Sequence, residues 1–243
     1  MLHVDPKDSA LGKGVYSAPE ALRLLNFHRD AGDARDISRH TVQRWLRGYD
    51  FKTGEGYGHS EPLWQPDYPA HASELEISFR DLIELRFVKA FRDAGLSMHT
   101  IRACFEQAVV EVRDARPFSS QRFRTDGKTI FLEITRDVRE GEMLDLRRRQ
   151  NVFRTLIAPS LKDLEFDAEA VSRWYPMGIA HKEVVIDPAR AFGRPIAAEG
   201  GVPTEILAHA VKVEGSAERV ARLYEVPLGT VRAAIAFETR LAA

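Results

Sequence analysis

The sequence predicts an α+β chain that is mainly α, and three observations carry the prediction. Segments opened by Ser or Thr, with apolar residues three and four apart, recur along the 243 residues. Gly-tipped, aromatic-rich runs interrupt them as hairpins would. A short apolar run at Val184-Val185-Ile186 precedes a Gly/Pro-punctuated stretch and three more helical patterns. Four regions are expected: 14–70, two helices and a hairpin; 71–116, an amphipathic helix pair; 117–180, a middle segment containing a β-hairpin; and 181–243, a small three-helix unit.

The first helix starts at Ser17-Ala18-Pro19-Glu20, where a capping hydroxyl stands three residues before Glu and Pro occupies the first turn. It runs through Leu25. A polar stretch from Asn26 to Asp36 leads to a second helix capped by Ser38, with Val42, Trp45 and Leu46 on one side and Gly48 as its stop. Tyr49 to Tyr68 carries aromatic runs on both sides of Gly54, Gly56 and Gly58, the second around Trp64, and is expected to be a hairpin. A helix opens at Ser78 on Phe79, Leu82, Ile83, Phe87, Ala90 and Phe91, and Gly95 ends it. Ser97 caps the next, which carries Met98, Ile101, Phe105, Ala108, Val109 and Val112 up to Pro117.

In the middle segment, Arg122-Phe123-Arg124, the Thr125-Asp126-Gly127 turn and Thr129 to Ile134 predict a hairpin, while Asp145 to Ile157 fits strand or helix. The last unit holds a strand at Val184 to Ile186 and helices starting at Thr204, Ser216 and about Pro227.

A formal net charge of -1 rules out a uniformly basic coat, so any affinity for nucleic acid must come from a local cluster. That cluster lies on the second helix. His40, Gln43, Arg44 and Arg47 fall at i, i+3, i+4, i+7, opposite the Val42, Trp45, Leu46 face. One face anchors; the other is free to enter a major groove, where Arg and Gln pair bidentately with guanine and adenine. From Ser38 to Lys52 there are four Arg/Lys against one acid. Ser38, Arg39, His40, Gln43, Arg44 and Arg47, with Lys52, Tyr57 and His59 on the hairpin, are therefore the candidate DNA contacts. By order of elements, 14–70 is a winged helix-turn-helix. The apolar faces in 78–113 look broader than a small winged domain needs, which predicts a homodimer through those helices.

Three stretches, GVYSAPEALRLL, ISRHTVQRWLRGY and LEISFRDLIELRFVKAFRDAGLSMHTIR, resemble the mercury-resistance-regulator (MerR) class of winged helix. The stretch from Val184 to Glu238 is similar to a small domain of VapB-like antitoxins encoded beside PIN-like ribonuclease toxins. The likeness rests on Gly193-Arg194-Pro195, Val202-Pro203, Gly215-Ser216 and Val231-Arg232-Ala233-Ala234. Gly201 stands where members usually carry an Arg before the apolar-Pro pair. The resemblance implies a DNA-binding antitoxin that represses its own operon and neutralises a PIN-like toxin; a stand-alone MerR-like regulator is the alternative.

The C-terminal unit is itself helix-turn-helix in shape, so it is a possible second DNA reader. The last helix, however, presents Gly229, Ala233, Ala236, Phe237 and Arg240 outward, which suits protein contact better. Residues 161–243 hold ten Lys/Arg against twelve Asp/Glu. That balance favours a basic nuclease over DNA as partner, with Phe237, Arg240, Glu218 and Glu225 as the candidate contacts. On this division a chain cut after Pro176 should keep DNA binding and lose the toxin.

An enzyme is not expected, nor any cofactor or metal. The eight His are scattered without a His-Glu-x-x-His pair, and Gly12-Lys13-Gly14 and Gly54-x-Gly56-x-Gly58 lack the strand and helix of a phosphate loop. Cys104 is the sole cysteine, set among apolar residues as a small hydrophobe, which excludes an internal disulfide. Arg147-Arg148-Arg149 is the other basic cluster, read as a solvated turn with a possible phosphate contact. No signal peptide or membrane span is evident, so a cytoplasmic chain is expected. A third reading, a purely protein-binding adaptor, predicts no salt-dependent DNA affinity.

Overall fold

The computed structural model describes residues 12–27, 36–54, 56–68, 74–128, 154 and 158–242. Strand β1 (Tyr16–Ser17) runs into helix α1 (Ala18–Leu25), whose Ser17 cap and Glu20 form the reciprocal capping box. Helix α2 (Arg39–Arg47) and a hairpin of β2 (Tyr49–Thr53) and β3 (Gly56–Ser60) follow. Strand β4 (Glu76–Ile77) pairs antiparallel with β1 and leads into α3 (Phe79–Asp93) and α4 (Met98–Val112), capped by Ser78 and Ser97. The expected hairpin thus ends at Ser60; Trp64 lies beyond it, buried in the core.

Helix α3 is the axis of the larger core. Phe79, Leu82, Ile83, Leu85, Phe87, Val88 and Phe91 cover nearly its whole circumference and are all buried. The residues after α4 close over it: Phe118 sits 5.8 Å from Phe87, 5.2 Å from Phe91 and 5.5 Å from Phe105, ring centre to ring centre. The breadth of this apolar face is consumed within the chain, which removes the reason for expecting a dimer through 78–113.

Residues 121–128 are helical, so the predicted strand over Arg122-Phe123-Arg124 and turn at Thr125-Asp126-Gly127 are corrected. Ser120 starts this helix: its hydroxyl accepts the Phe123 N–H at 3.1 Å, a cap, and Phe123 turns inward against Phe118 at 5.1 Å. Thr129 to Ile134 and Arg147-Arg148-Arg149 lie outside the described residues, as does 145–157 apart from Arg154. The middle segment does hold a hairpin, but further on. After α5 (Ala158–Lys162), β5 (Leu164–Phe166) pairs with β6 (Val171–Trp174).

β5 and β6 belong to a four-stranded antiparallel sheet completed by β7 (Val184–Ile186) and β8 (Pro195–Ala197). The expected boundary at 180/181 therefore falls between two strands of one sheet. Helices α6 (Thr204–Glu214), α7 (Ala217–Leu223) and α8 (Leu228–Leu241) follow, around a small core of Ala197, Leu207, Val220, Val226, Val231 and Ala234. Gly201 has φ 70°, and the Arg190 guanidinium fills the space a Cβ there would need. An arginine thus reaches this turn from another position.

The two ends of the chain are built together. Phe237 of α8 is 0% exposed and packs on Phe27, just after α1, at 5.1 Å between rings. The Tyr16 hydroxyl donates to the Gly193 carbonyl at 2.6 Å, and Val15 N–H donates to the Phe192 carbonyl at 3.0 Å. A cut after Pro176 would strip β7 from β6 and uncover Phe27, so the expected separation of the two activities by that truncation has no structural basis. Among the described residues no helix is long and apolar enough to cross a membrane.

Candidate nucleic-acid interface

Helix α2 is positioned at both ends. The Ser38 hydroxyl accepts the Thr41 N–H at 3.1 Å, so this candidate contact caps the helix. Asn26, the C-cap of α1, donates its amide to the Ile37 carbonyl at 3.0 Å and accepts the Ile37 N–H at 2.9 Å. That two-way bond clamps the stretch between α1 and α2, fixing their spacing. At the other end Gly48 takes φ 72°, and a Cβ there would collide with the Ser60 carbonyl. Val42, Trp45 and Leu46 are buried, as their spacing requires.

Arg39 and His40 are exposed on the outer side, while Gln43, Arg44 and Arg47 are half-buried. The Arg44 guanidinium lies 3.5 Å from the centre of the Tyr49 ring, a cation–π contact that pre-orients it towards the hairpin. Arg47 donates Nη2 to the Glu74 carbonyl at 2.9 Å, so it braces the approach to β4. The predicted stripe is thus graded, from free side chains at the N-terminus of α2 to a structural one at its C-terminus.

On the hairpin, Lys52 pairs directly with Tyr57, and Tyr57 is 78% exposed. His59 shares their face, with Nδ1 2.6 Å from Asp50 Oδ1 and Nε2 3.9 Å from Glu61. The Asp50 hydrogen bond raises its pKa, but the carboxylates beside it cancel the charge a phosphate would seek. The opposite hairpin face carries Tyr49 and Phe51.

Sequence reasoning missed the cations across from α2. Arg102 of α4 donates to the carbonyls of Pro62 at 3.0 Å and Glu61 at 2.6 Å, holding the hairpin base. Arg92 donates to the Leu96 carbonyl at 2.7 Å, closing the α3–α4 corner. Together with Arg44, His99, Tyr49 and Phe51 they line a groove of about 500 Å³ between α2, the hairpin and that corner. The available signal was Arg92, His99 and Arg102 flanking Gly95-Leu96-Ser97, cations gathered where the chain reverses.

The framework beneath is a buried polar network. Asp81 accepts from Trp64 Nε1 at 2.8 Å, Asp67 N at 2.9 Å and Arg116 Nε at 2.7 Å, while Arg116 also meets Asp67 at 2.9 Å. Both carboxylate oxygens of Asp81 are engaged, so the segment leaving the hairpin is locked onto α3.

The C-terminal candidates fare differently. Phe237 is a core residue and is withdrawn as a partner contact, because α8 turns it inward onto Phe27. Glu218 is held by Arg232 at 3.2 Å and by the Ser216 hydroxyl at 3.0 Å. Glu225 is exposed at a turn with φ 53°, and Arg240 is exposed on α8 together with Gly229 and Ala236; Ala233 is half-buried. Burial pushes the Cys104 thiol up to about 12. Among the described residues there is no cluster of three potential metal ligands.

Comparison with known proteins bears on this geometry. Residues 24–105, which span α2, the hairpin, α3 and the first half of α4, match a family model described as "Putative DNA-binding HTH domain". This segment is similar to helix-turn-helix domains of the DNA-binding class. "Putative antitoxin VapB45" of Mycobacterium tuberculosis (strain ATCC 25618 / H37Rv) is 24% identical over 231 residues, covering 91% of this chain and 92% of that protein. The crystal structure of Rv2018 from Mycobacterium tuberculosis superposes with a TM-score of 0.66 at 21% identity, over 90% of this chain and 96% of that one. Both likenesses run along nearly the full length of this chain, and the α+β fold class holds.

Proposed function

We propose that this protein is a non-enzymatic, homodimeric DNA-binding antitoxin that represses its own operon and neutralises a PIN-like ribonuclease toxin. The winged helix-turn-helix acts in the MerR-like manner, with α2 reading the operator. The observation that carries the reading is the groove in which Arg44, Arg92 and Arg102 converge beside the exposed start of α2: fixed cations follow phosphates, and Arg39, His40 and Gln43 are left to meet base edges. Lys52 and Tyr57 at the hairpin tip extend the footprint. Arg240 and Glu225, exposed on the C-terminal unit, remain the proposed toxin contacts, with Glu218 available once it leaves Arg232.

One observation favours the second reading, a stand-alone regulator. Glu205, Glu214 and Glu218 are each paired with an arginine of this chain, so the acidic rim expected to face a basic nuclease is largely neutralised. Co-purification with the product of the neighbouring gene separates the two.

Mobility-shift titration with DNA from upstream of the gene, at two salt concentrations, tests the DNA-binding role. Arg39→Ala and Arg44→Ala should each cost about 1–3 kcal/mol if they meet base edges or groove phosphates. Arg47→Ala should act mainly through stability. Unchanged affinity in both Arg39→Ala and Arg44→Ala removes α2 from the interface.

A further inference from the structure

Helix α6 has two apolar faces, and only one is used inside the chain. Leu207 and Ala208 are buried, Leu207 in the small C-terminal core, whereas Ile206, Ala210 and Val213, spaced four and three apart, form a second stripe towards solvent. Val213 is 69% exposed, and Leu223 at the end of α7 is 63% exposed. With His209 and Tyr224 they line an open groove of about 630 Å³ between α6 and α7.

We infer that this groove receives the α6 helix of a second copy of the chain, packed antiparallel across a two-fold axis. Two features select that occupant. The stripe runs large, small, large, so its reversal matches itself: Ile206 meets Val213 of the second copy while Ala210 at the centre lets the helices approach. Glu205 and Lys212 stand seven residues apart on one edge of the stripe, both exposed; Glu205 also meets Arg194 of its own chain at 3.1 Å, a solvent-exposed pair that a closer partner can replace at little cost. An antiparallel two-fold sets this edge against itself and brings each Glu205 to Lys212 of the second copy, twice over, whereas a parallel pair would set the edge against the opposite side of the stripe and leave both charges without that partner. The remaining rim is neutral, Glu214 being held by Arg219 at 3.3 Å, and so gives no preference for a strongly charged partner. The inference rests on the homodimeric part of the proposed function and gives it a surface.

Sedimentation equilibrium of the full chain tests it. Wild type should be dimeric at tens of micromolar, and Val213→Glu should weaken the dimer at least about a hundredfold by burying two carboxylates. Glu205→Lys and Lys212→Glu should each weaken it about tenfold, and the double reversal should restore it to within about threefold. All three positions are exposed, so at a concentration low enough for wild type to be monomeric the melting curves of the variants should match wild type. A monomeric wild type overturns both the dimer and the surface. A dimer that survives Val213→Glu overturns the surface alone. A stripe whose mutation abolishes toxin binding but leaves the dimer intact belongs to the toxin, which also overturns the inference.

Discussion

Helices α3 and α6 both carry apolar residues around more than one face, yet the chain treats them in opposite ways. Around α3 the residues of 118–123 and the sheet close every side, and even Asp81 and Glu84 are sealed in with partners. Around α6 a small aliphatic core covers one side and leaves Ile206 and Val213 open. A broad apolar helix therefore does not by itself announce an interface. What decides is whether later segments of the same chain reach it.

The sharpest way to break this comparison is to remove the residue that joins the two regions. Phe237→Ala should cost about 3–5 kcal/mol, and because Phe237 lies on Phe27 the loss should appear in one transition. Urea unfolding followed by tryptophan emission and far-ultraviolet dichroism should coincide; two separated transitions would show that the units fold independently.

Next in size is the sealed carboxyl of α3. Glu84 accepts the N–H groups of Ser119 at 2.7 Å and Phe118 at 3.3 Å, yet burial lifts its pKa from 4.5 to about 7. The folded state holds this proton more tightly than the unfolded one. Its stabilising contribution is therefore complete below about pH 4.5 and is lost as pH rises through about 7, by up to about 3 kcal/mol. Glu84→Gln should flatten that part of the stability profile. A slope unchanged by the substitution would assign the pH dependence to other groups.

The smallest effect is expected on the open side of the second region. Leu223→Ser should change monomer stability by no more than about 0.5 kcal/mol, measured at a concentration where the chain does not associate. A loss of core size would mean that Leu223 is covered by its own chain.

Local chemistry was legible in the sequence because it depends on neighbours. Ser17, Ser38, Ser78, Ser97 and Ser216 all cap the helices expected of them, and Gly48 turns α2 into the hairpin. The strand expected at 122–124 failed because three alternating residues are too few to fix a period, while the Ser120 cap was there to be weighed. Of the candidate site, the buried and outward faces of α2 were legible, and the fates of individual side chains were not. Arg47 meets Glu74, 27 residues on; Phe237 meets Phe27 from the far end of the chain; Arg102 reaches back to Glu61. Such pairings depend on tertiary closure, which no periodicity encodes.

The contact between Phe27 and Phe237 also sets an order of events during synthesis. About 210 residues separate the two rings, so at about 5–20 residues per second the first helix waits about 10–40 s for its cover. Until then α2 exists on an unfinished support. A chain that ended shortly before Phe237 would carry every candidate DNA contact of α2 and the hairpin while lacking the ring that covers Phe27.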